Sequence, residues 1–281
     1  MRIISFEAVR DAVCEMCGRA ACDLPPDVLA ALKEAGTRET GELGRDFFAQ
    51  YLRNGEIASG ERLPLCQDTG FAVFFLRVGM NCTLDRGSWS EAVNAGVREG
   101  YRKFFLRRSI VADPLFDRKN TFDNTPAIIH LESVEGESLH ITLAPKGGGS
   151  ENMSALKMLK PSDGRAGVAD FVAGSVIAAG GNPCPPTVVG VGIGGTMEYA
   201  AFLAKKALLR KVGEPSPDPR YAALEAEILE KINASGVGPQ GLGGSVTSLA
   251  VHIEFFPCHL ASLPVAVNLN CHAARHAEVT I

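Results

Sequence analysis

The most constraining feature of this sequence is a short polar loop that leads directly into a long apolar run. The loop covers residues 63–70 and reads LPLCQDTG, and the apolar run covers residues 71–78. Proline and glycine favour a tight turn, and an apolar run bounded by such residues predicts a buried strand. The loop therefore places Cys66 and Asp68 at the entrance to a buried strand.

Two further cysteines lie in similar settings. Cys184 lies in the segment GGNPCPP, ahead of the strand-like residues 187–191, and Cys271 follows the apolar run 263–269. No local motif links the three cysteines, but each is carried by a loop at a strand end, where functional groups are commonly displayed. Two interpretations follow from the residues alone. The cysteines are small buried apolar side chains, or they are thiolate ligands of an iron–sulfur cluster.

Composition and charge narrow the expected partners and compartment. A content of 46% hydrophobic but only 7% aromatic residues predicts a soluble globular protein, and 281 residues suffice for a sizeable core. A net charge of −4 gives no reason to expect nucleic acid, and no apolar stretch reaches the ~18 residues of a membrane span. Glu7 and Asp11 interrupt the first segment, so no signal peptide is expected. Eight cysteines without a signal peptide predict the reducing cytoplasm.

Hydrophobic periodicity predicts a mixed α/β fold, of the α+β kind. Apolar residues spaced by three or four predict a helical N-terminal region in three pieces, broken at Pro25-Pro26 and stopped at Asn54-Gly55. Strand-like and helical segments then alternate, which predicts a mixed sheet with packed helices. Residues 127–134 and 138–144 flank a Glu-Gly-Glu turn and predict a hairpin. We expect one two-lobed domain over residues 1–281.

Two local motifs point to other chemistry. Cys14 and Cys17 form a C-x-x-C pair, which is typical of zinc or redox sites. They fall within an amphipathic helix, without a second pair or a nearby histidine, so we expect them to be packed. Residues 190–195 fit G-x-G-x-x-G between a strand and a helix, but no strand ending in an acid follows, as a dinucleotide site requires.

Two polar loops are candidates for binding an anion. The first covers residues 106–126 and includes Arg107; it is long for a connection, although a solvated surface turn is an alternative. The second is the segment KGGGS at residues 146–150, where backbone N–H groups and Lys146 could approach a negative charge. It is not a phosphate-binding loop of the GxxxxGK type, because its lysine precedes the glycines.

Three longer segments carry a family resemblance. They are KGGGSEN at 146–152, GPQGLGG at 238–244, and HLASLPV at 259–265 running on to CHAAR at 271–275. Together they resemble the class I, iron–sulfur fumarate hydratase family, to which the alpha subunit of L(+)-tartrate dehydratase also belongs. The resemblance extends over nearly the whole chain.

The resemblance implies a cofactor and a set of site residues. It implies a [4Fe-4S] cluster held by Cys66, Cys184 and Cys271, with one iron left without a protein ligand as a Lewis acid. It assigns catalytic roles to Asp68, in proton handling, and to His259, which taken alone would more simply be structural. The substrate-binding residues that we infer are Gln67, Thr69, Arg107, Lys146 and Gly149.

The activity expected from the resemblance is the reversible hydration of fumarate to L-malate, a reaction of the tricarboxylic acid cycle. The alternative is dehydration of L(+)-tartrate to oxaloacetate. An iron–sulfur electron carrier and a glycine-rich nucleotide binder are less favoured, because clustered cysteines and a complete nucleotide motif are both missing. Single-chain members continue past the third cysteine into a second domain, whereas this chain ends at Ile281. We therefore expect an alpha subunit that works with a beta subunit, in a heterodimer or heterotetramer.

Overall fold

The computed structural model describes residues 1–281, which divide into two compact units. Unit 1 consists of Met1–Leu24, Gly55–Gly148 and Arg275–Ile281, and unit 2 consists of Pro25–Asn54 and Gly149–Ala274. Each unit has its own four-stranded mixed sheet and its own apolar core. The predicted mixed α/β fold is confirmed, and the single two-lobed domain stays a prediction.

Helices and strands alternate along most of the chain. The helices are α1 Phe6–Cys22, α2 Pro26–Arg38, α3 Glu42–Glu61, α4 Trp89–Lys103, α5 Gly148–Glu151, α6 Gly164–Ala179, α7 Met197–Ala207 and α8 Pro219–Asn233. The strands are β1 Arg2–Ile4, β2 Phe71–Gly79, β3 Cys82–Leu84, β4 Ile128–Val134, β5 Leu139–Lys146, β6 Ala155–Leu159, β7 Thr187–Gly194, β8 Ser248–Phe256, β9 Leu263–Asn270 and β10 Ala277–Thr280. None of the helices combines the length and apolar character that a membrane crossing requires.

The sheet of unit 1 has the strand order β10-β5-β2-β4 and is built around β2. The apolar run predicted to be a buried strand forms β2, and helices α1 and α4 contribute to the same core. Helix α4 begins with the predicted capping box, in which Ser88 Oγ accepts from Glu91 N and the Glu91 carboxylate accepts from Ser88 N. This cap satisfies two backbone donors and defines where α4 starts.

The predicted hairpin between residues 127–134 and 138–144 is wrong. Both segments form strands, but β2 lies between them, parallel to β4 and antiparallel to β5. The turn that joins them binds the end of β2 instead, because Met80 N donates to Val134 O at 2.8 Å and Gly79 N donates to Ser138 O at 2.9 Å. The most apolar strand thus takes the central position, where both of its edges are paired.

Helix α3 is longer than the sequence predicts. It continues through Asn54 and Gly55 to Glu61. A glycine inside a helix costs only about 1 kcal/mol relative to alanine. Here the bare Gly55 backbone faces Leu24, whose Cδ1 would lie 3.3 Å from an added Cβ, and Ala58 is buried one turn later. Packing outweighs the local preference for a stop.

The cysteines of α1 are part of the apolar core. Cys14, Cys17 and Cys22 are each less than 5% exposed, and burial raises the pKa of the Cys17 thiol well above its usual value. A thiol held in its neutral form is a poor metal ligand. The structure agrees with the packing interpretation of this C-x-x-C pair.

The sheet of unit 2 has the strand order β6-β9-β7-β8, and all eight residues of β7 are buried. Val189, Val191 and Ile193 pack into the core that contains α6 and α8. Its glycines contact α7: a Cβ at Gly190 would lie 2.1 Å from Ala204 O, and one at Gly192 would lie 2.0 Å from Ala200 O. The G-x-G-x-x-G pattern therefore lets a helix pack directly on a strand, which accounts for it without a nucleotide.

We expect Gly192→Ala to destabilise unit 2 by about 3 kcal/mol, because an added methyl group cannot fit without moving α7. Denaturant unfolding followed by circular dichroism would measure this loss. Gly174→Ala is the matched control: Gly174 lies in α6 with nothing within 4 Å of an added Cβ. The control should gain about 0.5–1 kcal/mol. Equal unfolding midpoints for the two variants would contradict the tight α7–β7 contact.

Candidate active site

In unit 1 the Cys66 loop is fastened to the glycine-rich segment after β5. Cys66 is partly exposed. Two residues later, Asp68 accepts hydrogen bonds from Gly70 N (3.0 Å) through Oδ1 and from Gly148 N (2.8 Å) through Oδ2. Gly70 has φ +82°, and a Cβ there would lie 2.8 Å from the Lys146 backbone. Two charge-assisted hydrogen bonds therefore orient the Asp68 carboxylate.

The long polar loop is held against the same segment. Thr69 is buried, and its hydroxyl donates to Arg107 O at 3.0 Å. Asn124 is also buried; it donates to Gly70 O at 3.2 Å and accepts from Ser109 N at 2.8 Å. Loop 106–126 is thus tied down at several points rather than being a free surface turn. Thr69 acts as a positioning residue here, because its hydroxyl is committed to the Arg107 backbone.

The remaining predicted binding residues of unit 1 differ in exposure. The side chain of Gln67 is exposed, as is that of Arg107. Lys146 is the last residue of β5 and is only 4% exposed. Gln67 and Arg107 can reach a small molecule in solvent directly, whereas Lys146 is a buried cation beside the Gly147-Gly148 backbone.

Arg275 is a buried cation that sequence reasoning did not select. Its Nη2 donates to Asp68 O at 2.6 Å, while its Nε and Nη1 are buried without a hydrogen-bond partner. Unpaired N–H groups of a buried guanidinium are costly unless an acceptor is supplied. The signal that could have indicated Arg275 was its place in the CHAAR segment, four residues after Cys271.

In unit 2 the structure brings Cys184 and the Cys271 segment together. Cys184 is exposed, with φ +54°, and Cys271 is partly exposed. Cys184 N donates to Gly181 O at 3.0 Å. Cys184 O contacts His272 twice, accepting from the backbone N at 3.2 Å and lying 3.1 Å from the ring Nδ1. Residues that are far apart in sequence thus form one compact corner of unit 2.

A second layer of side chains surrounds this corner. Tyr51 stacks on His272 with ring centroids 4.0 Å apart, and its hydroxyl donates to Pro185 O at 3.2 Å. Gln240 donates to the Tyr51 hydroxyl through Nε2 at 2.8 Å and to Pro185 O through its backbone N at 3.0 Å. Burial raises the pKa of Tyr51 to about 12, so the hydroxyl keeps its proton at neutral pH.

The glycine-rich loop at 238–244, which carries Gln240, is anchored by Glu39. This carboxylate is 2% exposed and accepts from the backbone N–H groups of Gly41 (2.8 Å), Ser245 (3.0 Å) and Val246 (3.0 Å). Burial alone raises the pKa of Glu39, but these hydrogen bonds outweigh it and lower the pKa below its ordinary value. Glu39 therefore stays ionised and holds the loop in place.

Nearly the whole chain matches one known protein family. A family model described as fumarate hydratase (Fumerase) matches residues 10–280. The chain belongs to the fumarate hydratase family. This confirms the resemblance found in the sequence and places the chain among the hydro-lyases.

Individual relatives of this chain have names that are more specific than the family description. A Methanocaldococcus jannaschii protein named for the alpha subunit of L(+)-tartrate dehydratase is 45% identical over 274 residues, which cover 96% of each chain. The L(+)-tartrate dehydratase subunit alpha of Escherichia coli strain K12 is 35% identical over 267 residues, 92% of this chain and 87% of its own. The corresponding subunit of Shigella sonnei has the same identity and coverage.

Part of the KGGGSEN segment has a structural role in this chain. Glu151 pairs with Lys205 of α7 and accepts from Asn268 of β9 at 2.8 Å. The neighbouring Gly149 is exposed, and a Cβ there would lie 3.4 Å from Asn182 O in the loop that precedes Cys184. Gly149 therefore borders the Cys184 corner, and its role in binding substrate stays a prediction.

The structure does not bring His259 together with Cys184 and Cys271 within unit 2. His259 precedes β9 and Cys271 follows it, and an eight-residue strand separates its ends by roughly 25 Å. Cys184 precedes β7, which runs antiparallel to β9, so it lies at the Cys271 end. His259 is exposed and lines a separate cavity of about 510 Å³ with Cys258, Arg220 and others.

Accessible thiols are the donor type that an iron–sulfur cluster uses, and a cluster in this chain stays a prediction. Cys66, Cys184 and Cys271 are exposed or partly exposed on loops, whereas Cys14, Cys17, Cys22 and Cys82 are buried. Cys258 is exposed as well, but its thiol donates to Ser262 O at 3.3 Å within its own loop. No three His, Cys, Asp or Glu side chains are grouped to hold a single metal ion. A cubane cluster makes a different demand, because each thiolate binds its own iron.

Proposed function

We propose that this chain is the alpha subunit of an iron–sulfur hydro-lyase that removes water from L(+)-tartrate to give oxaloacetate. The observation that carries this proposal is the full-length similarity to tartrate dehydratase alpha subunits, at 35–45% identity, combined with the accessible loop cysteines Cys66, Cys184 and Cys271. Hydration of fumarate to L-malate is the second candidate, supported by the family match over residues 10–280. Both reactions move one water across a carbon–carbon bond of a four-carbon dicarboxylate.

The proposed cofactor is a [4Fe-4S] cluster held by Cys66, Cys184 and Cys271. When bound with one iron free of protein ligands, such a cluster supplies a Lewis acid for a substrate hydroxyl and carboxylate. Thiolates are the usual ligands of these clusters, and the three side chains proposed here lie on loops and are exposed or partly exposed. The corner of unit 2 holds two of these ligands, and the loop before β2 holds the third.

The chain's own residues would then bind the substrate and move a proton. Asp68 is held by two backbone N–H groups, and its fixed carboxylate suits proton transfer at carbon. Arg107, Arg275 and Lys146 supply positive charge for the substrate carboxylates. Gln67, with its exposed amide, is placed to donate or accept a hydrogen bond to a substrate hydroxyl.

The other predicted site residues take smaller roles. Thr69 acts by fixing the backbone of the Arg107 loop, and Gly149 allows close approach beside the Cys184 corner. His259 is left out of the proposed set, because β9 places it at the far end of the unit 2 sheet.

The proposed partner is a beta subunit, in a heterodimer or heterotetramer. This is supported by the relatives with 35–45% identity, which are named as alpha subunits. We further propose that the complex works in the cytoplasm.

The proposal is tested by expressing the chain with a candidate beta subunit without oxygen, loading the cluster, and assaying three substrates: L(+)-tartrate, L-malate and fumarate. We expect turnover of tartrate by the complex and none by the isolated chain. Asp68→Asn should lower kcat about 100-fold, whereas Asp170→Asn, at an exposed ion pair with Lys231, should not. Activity on fumarate and malate alone would select the second candidate. A loaded complex that is inactive on all three would overturn the proposal.

A further inference from the structure

The backbone of Cys184 has an unusual conformation for a cysteine. Its φ of +54° lies in the left-handed region, which costs an L residue about 1–2 kcal/mol. Such conformations persist only when their surroundings determine them, and they concentrate at functional sites. Something in the structure must therefore hold Cys184 in place.

Four donors converge on two successive carbonyl groups at this point. The oxygen of Cys184 lies within 3.2 Å of both the backbone N and the ring Nδ1 of His272. The oxygen of Pro185 accepts from the Tyr51 hydroxyl at 3.2 Å and from Gln240 N at 3.0 Å. With both carbonyl groups bound, the peptide that joins them is held in one orientation, and this restrains the backbone at Cys184.

Contacts on two sides orient the ring of His272. Because a carbonyl oxygen can only accept, the contact to Cys184 O is a hydrogen bond in the tautomer that carries its hydrogen on Nδ1. The amide of Gln240 lies 3.5 Å from the same nitrogen, too far to compete. Stacking of Tyr51 on the His272 ring, at an interplanar angle of 19°, prevents the ring from turning away.

Tyr51 is in turn fixed by packing. It is 7% exposed and makes an edge contact with Phe48, whose ring centroid lies 5.8 Å away. The loop that carries Gln240 approaches the Cys184 loop so closely that a Cβ at Gly181 would lie 2.7 Å from Gln240 O. The three side chains are thus held by the fold before any cofactor binds.

We propose that Tyr51, Gln240 and His272 form a clamp that holds Cys184 in its left-handed conformation and thereby determines how firmly the cluster is retained. This inference rests on the proposed function, because it needs a cluster on Cys184. The three residues are positioning residues and not ligands. Residues that orient a ligand from behind typically change metal affinity by about 10–100-fold when replaced.

Two variants remove hydrogen-bonding groups of the clamp while keeping two aromatic rings in place; Tyr51→Phe also removes the acceptor of Gln240 Nε2. Tyr51→Phe deletes the hydroxyl that donates to Pro185, and His272→Phe deletes the Nδ1 donor to Cys184. Tyr199→Phe is the matched control, since Tyr199 lies in α7 of the same unit and contacts Phe202 and Phe256 through its ring. All variants are prepared as the reconstituted complex with the beta subunit.

The measurements are the rate of iron loss to a chelator, the iron content per chain, and the EPR signal of the oxidised cluster. We expect both clamp variants to lose iron about 10–100-fold faster than the wild type, with an altered EPR signal, while Tyr199→Phe does not differ from it. The midpoint temperatures of thermal unfolding of the cluster-free proteins should be nearly equal. A lowered midpoint in a clamp variant would instead indicate a purely structural defect. If one clamp variant fails to fold, the other tests the proposal by itself.

Two different failures can be distinguished. A wild-type complex that takes up no cluster would overturn the proposed function, and the clamp with it. A wild type that retains its cluster, alongside clamp variants that release iron at the same rate, would overturn the clamp alone.

Discussion

Replacing Cys66, Cys184 or Cys271 with serine is expected to remove the cluster and all hydro-lyase activity. Three thiolates are the fewest that can hold a cubane while leaving one iron open, so no single ligand can be spared. Serine preserves the size of the side chain, and none of the three positions is deeply buried. The folded protein should therefore survive the change, and the defect should be confined to the cofactor.

The matched controls are two cysteines outside the proposed ligand set. Cys258→Ser replaces another exposed loop cysteine of unit 2, and Cys14→Ala replaces a buried one in α1. Both should keep the iron content and visible absorbance of the wild type after anaerobic reconstitution. Iron loss in Cys258→Ser together with full iron in Cys184→Ser would refute the ligand assignment.

Replacing Glu39 with alanine is expected to lower the free energy of unfolding of unit 2 by about 3–5 kcal/mol. Hydrogen bonds to a charged group contribute about 1.5–3 kcal/mol each, and the backbone N–H groups that Glu39 binds would be left without an acceptor. Gly44 and Gly244 lie so close to this carboxylate that a Cβ at either would lie within 3 Å of it. The site is therefore built around the glutamate.

A nearby glutamate supplies the control for Glu39. Glu34 is 70% exposed and pairs with Arg38 one turn away at 3.7 Å. Glu34→Ala should change stability by no more than about 0.5 kcal/mol. Chemical denaturation at neutral pH measures both variants, and a similar small loss for the two would contradict the anchoring role of Glu39.

The same carboxylate predicts a dependence of stability on pH. The pKa of Glu39 in the folded protein lies below its ordinary value of 4.5. Its stabilising contribution is therefore complete above that value and is lost as the pH falls through the folded-state pKa. Glu39→Gln removes this titration, so its stability should fall less steeply than that of the wild type on acidification. Parallel pH profiles would show that another group causes the acid loss.

Features decided by neighbouring residues could be predicted from the sequence. The capping box at Ser88 and Glu91 needs only a three-residue spacing, and the buried strand β2 follows from an unbroken apolar stretch between a tight loop and a turn. The segments that begin at Lys146, Gly238 and His259 are sufficient to recognise the family. The resemblance implied Cys66, Cys184 and Cys271 as cluster ligands, whereas their spacing alone could not distinguish packed cysteines from ligands.

Features decided by distant residues could not be predicted in this way. The sequence predicts the strands β4 and β5 but pairs them wrongly, because a short turn favours a hairpin, whereas the more apolar β2 is stabilised more by lying between them. The stop predicted at Gly55 failed because Leu24 packs against its bare backbone. The sequence argued against a nucleotide loop at the glycines of β7, but only the position of α7 shows what these glycines do, which is to let the helix pack on the strand.

The composition and motifs of this chain determined its class, its family and the residue types available for chemistry, because those depend on local sequence. The tertiary structure decided which of those residues meet. It placed His272 on the Cys184 carbonyl and buried Arg275 against Asp68, and it put His259 at the other end of β9 from Cys271. These outcomes depend on strand order and direction, which are settled by packing free energy summed over a whole sheet and cannot be assigned to any single motif.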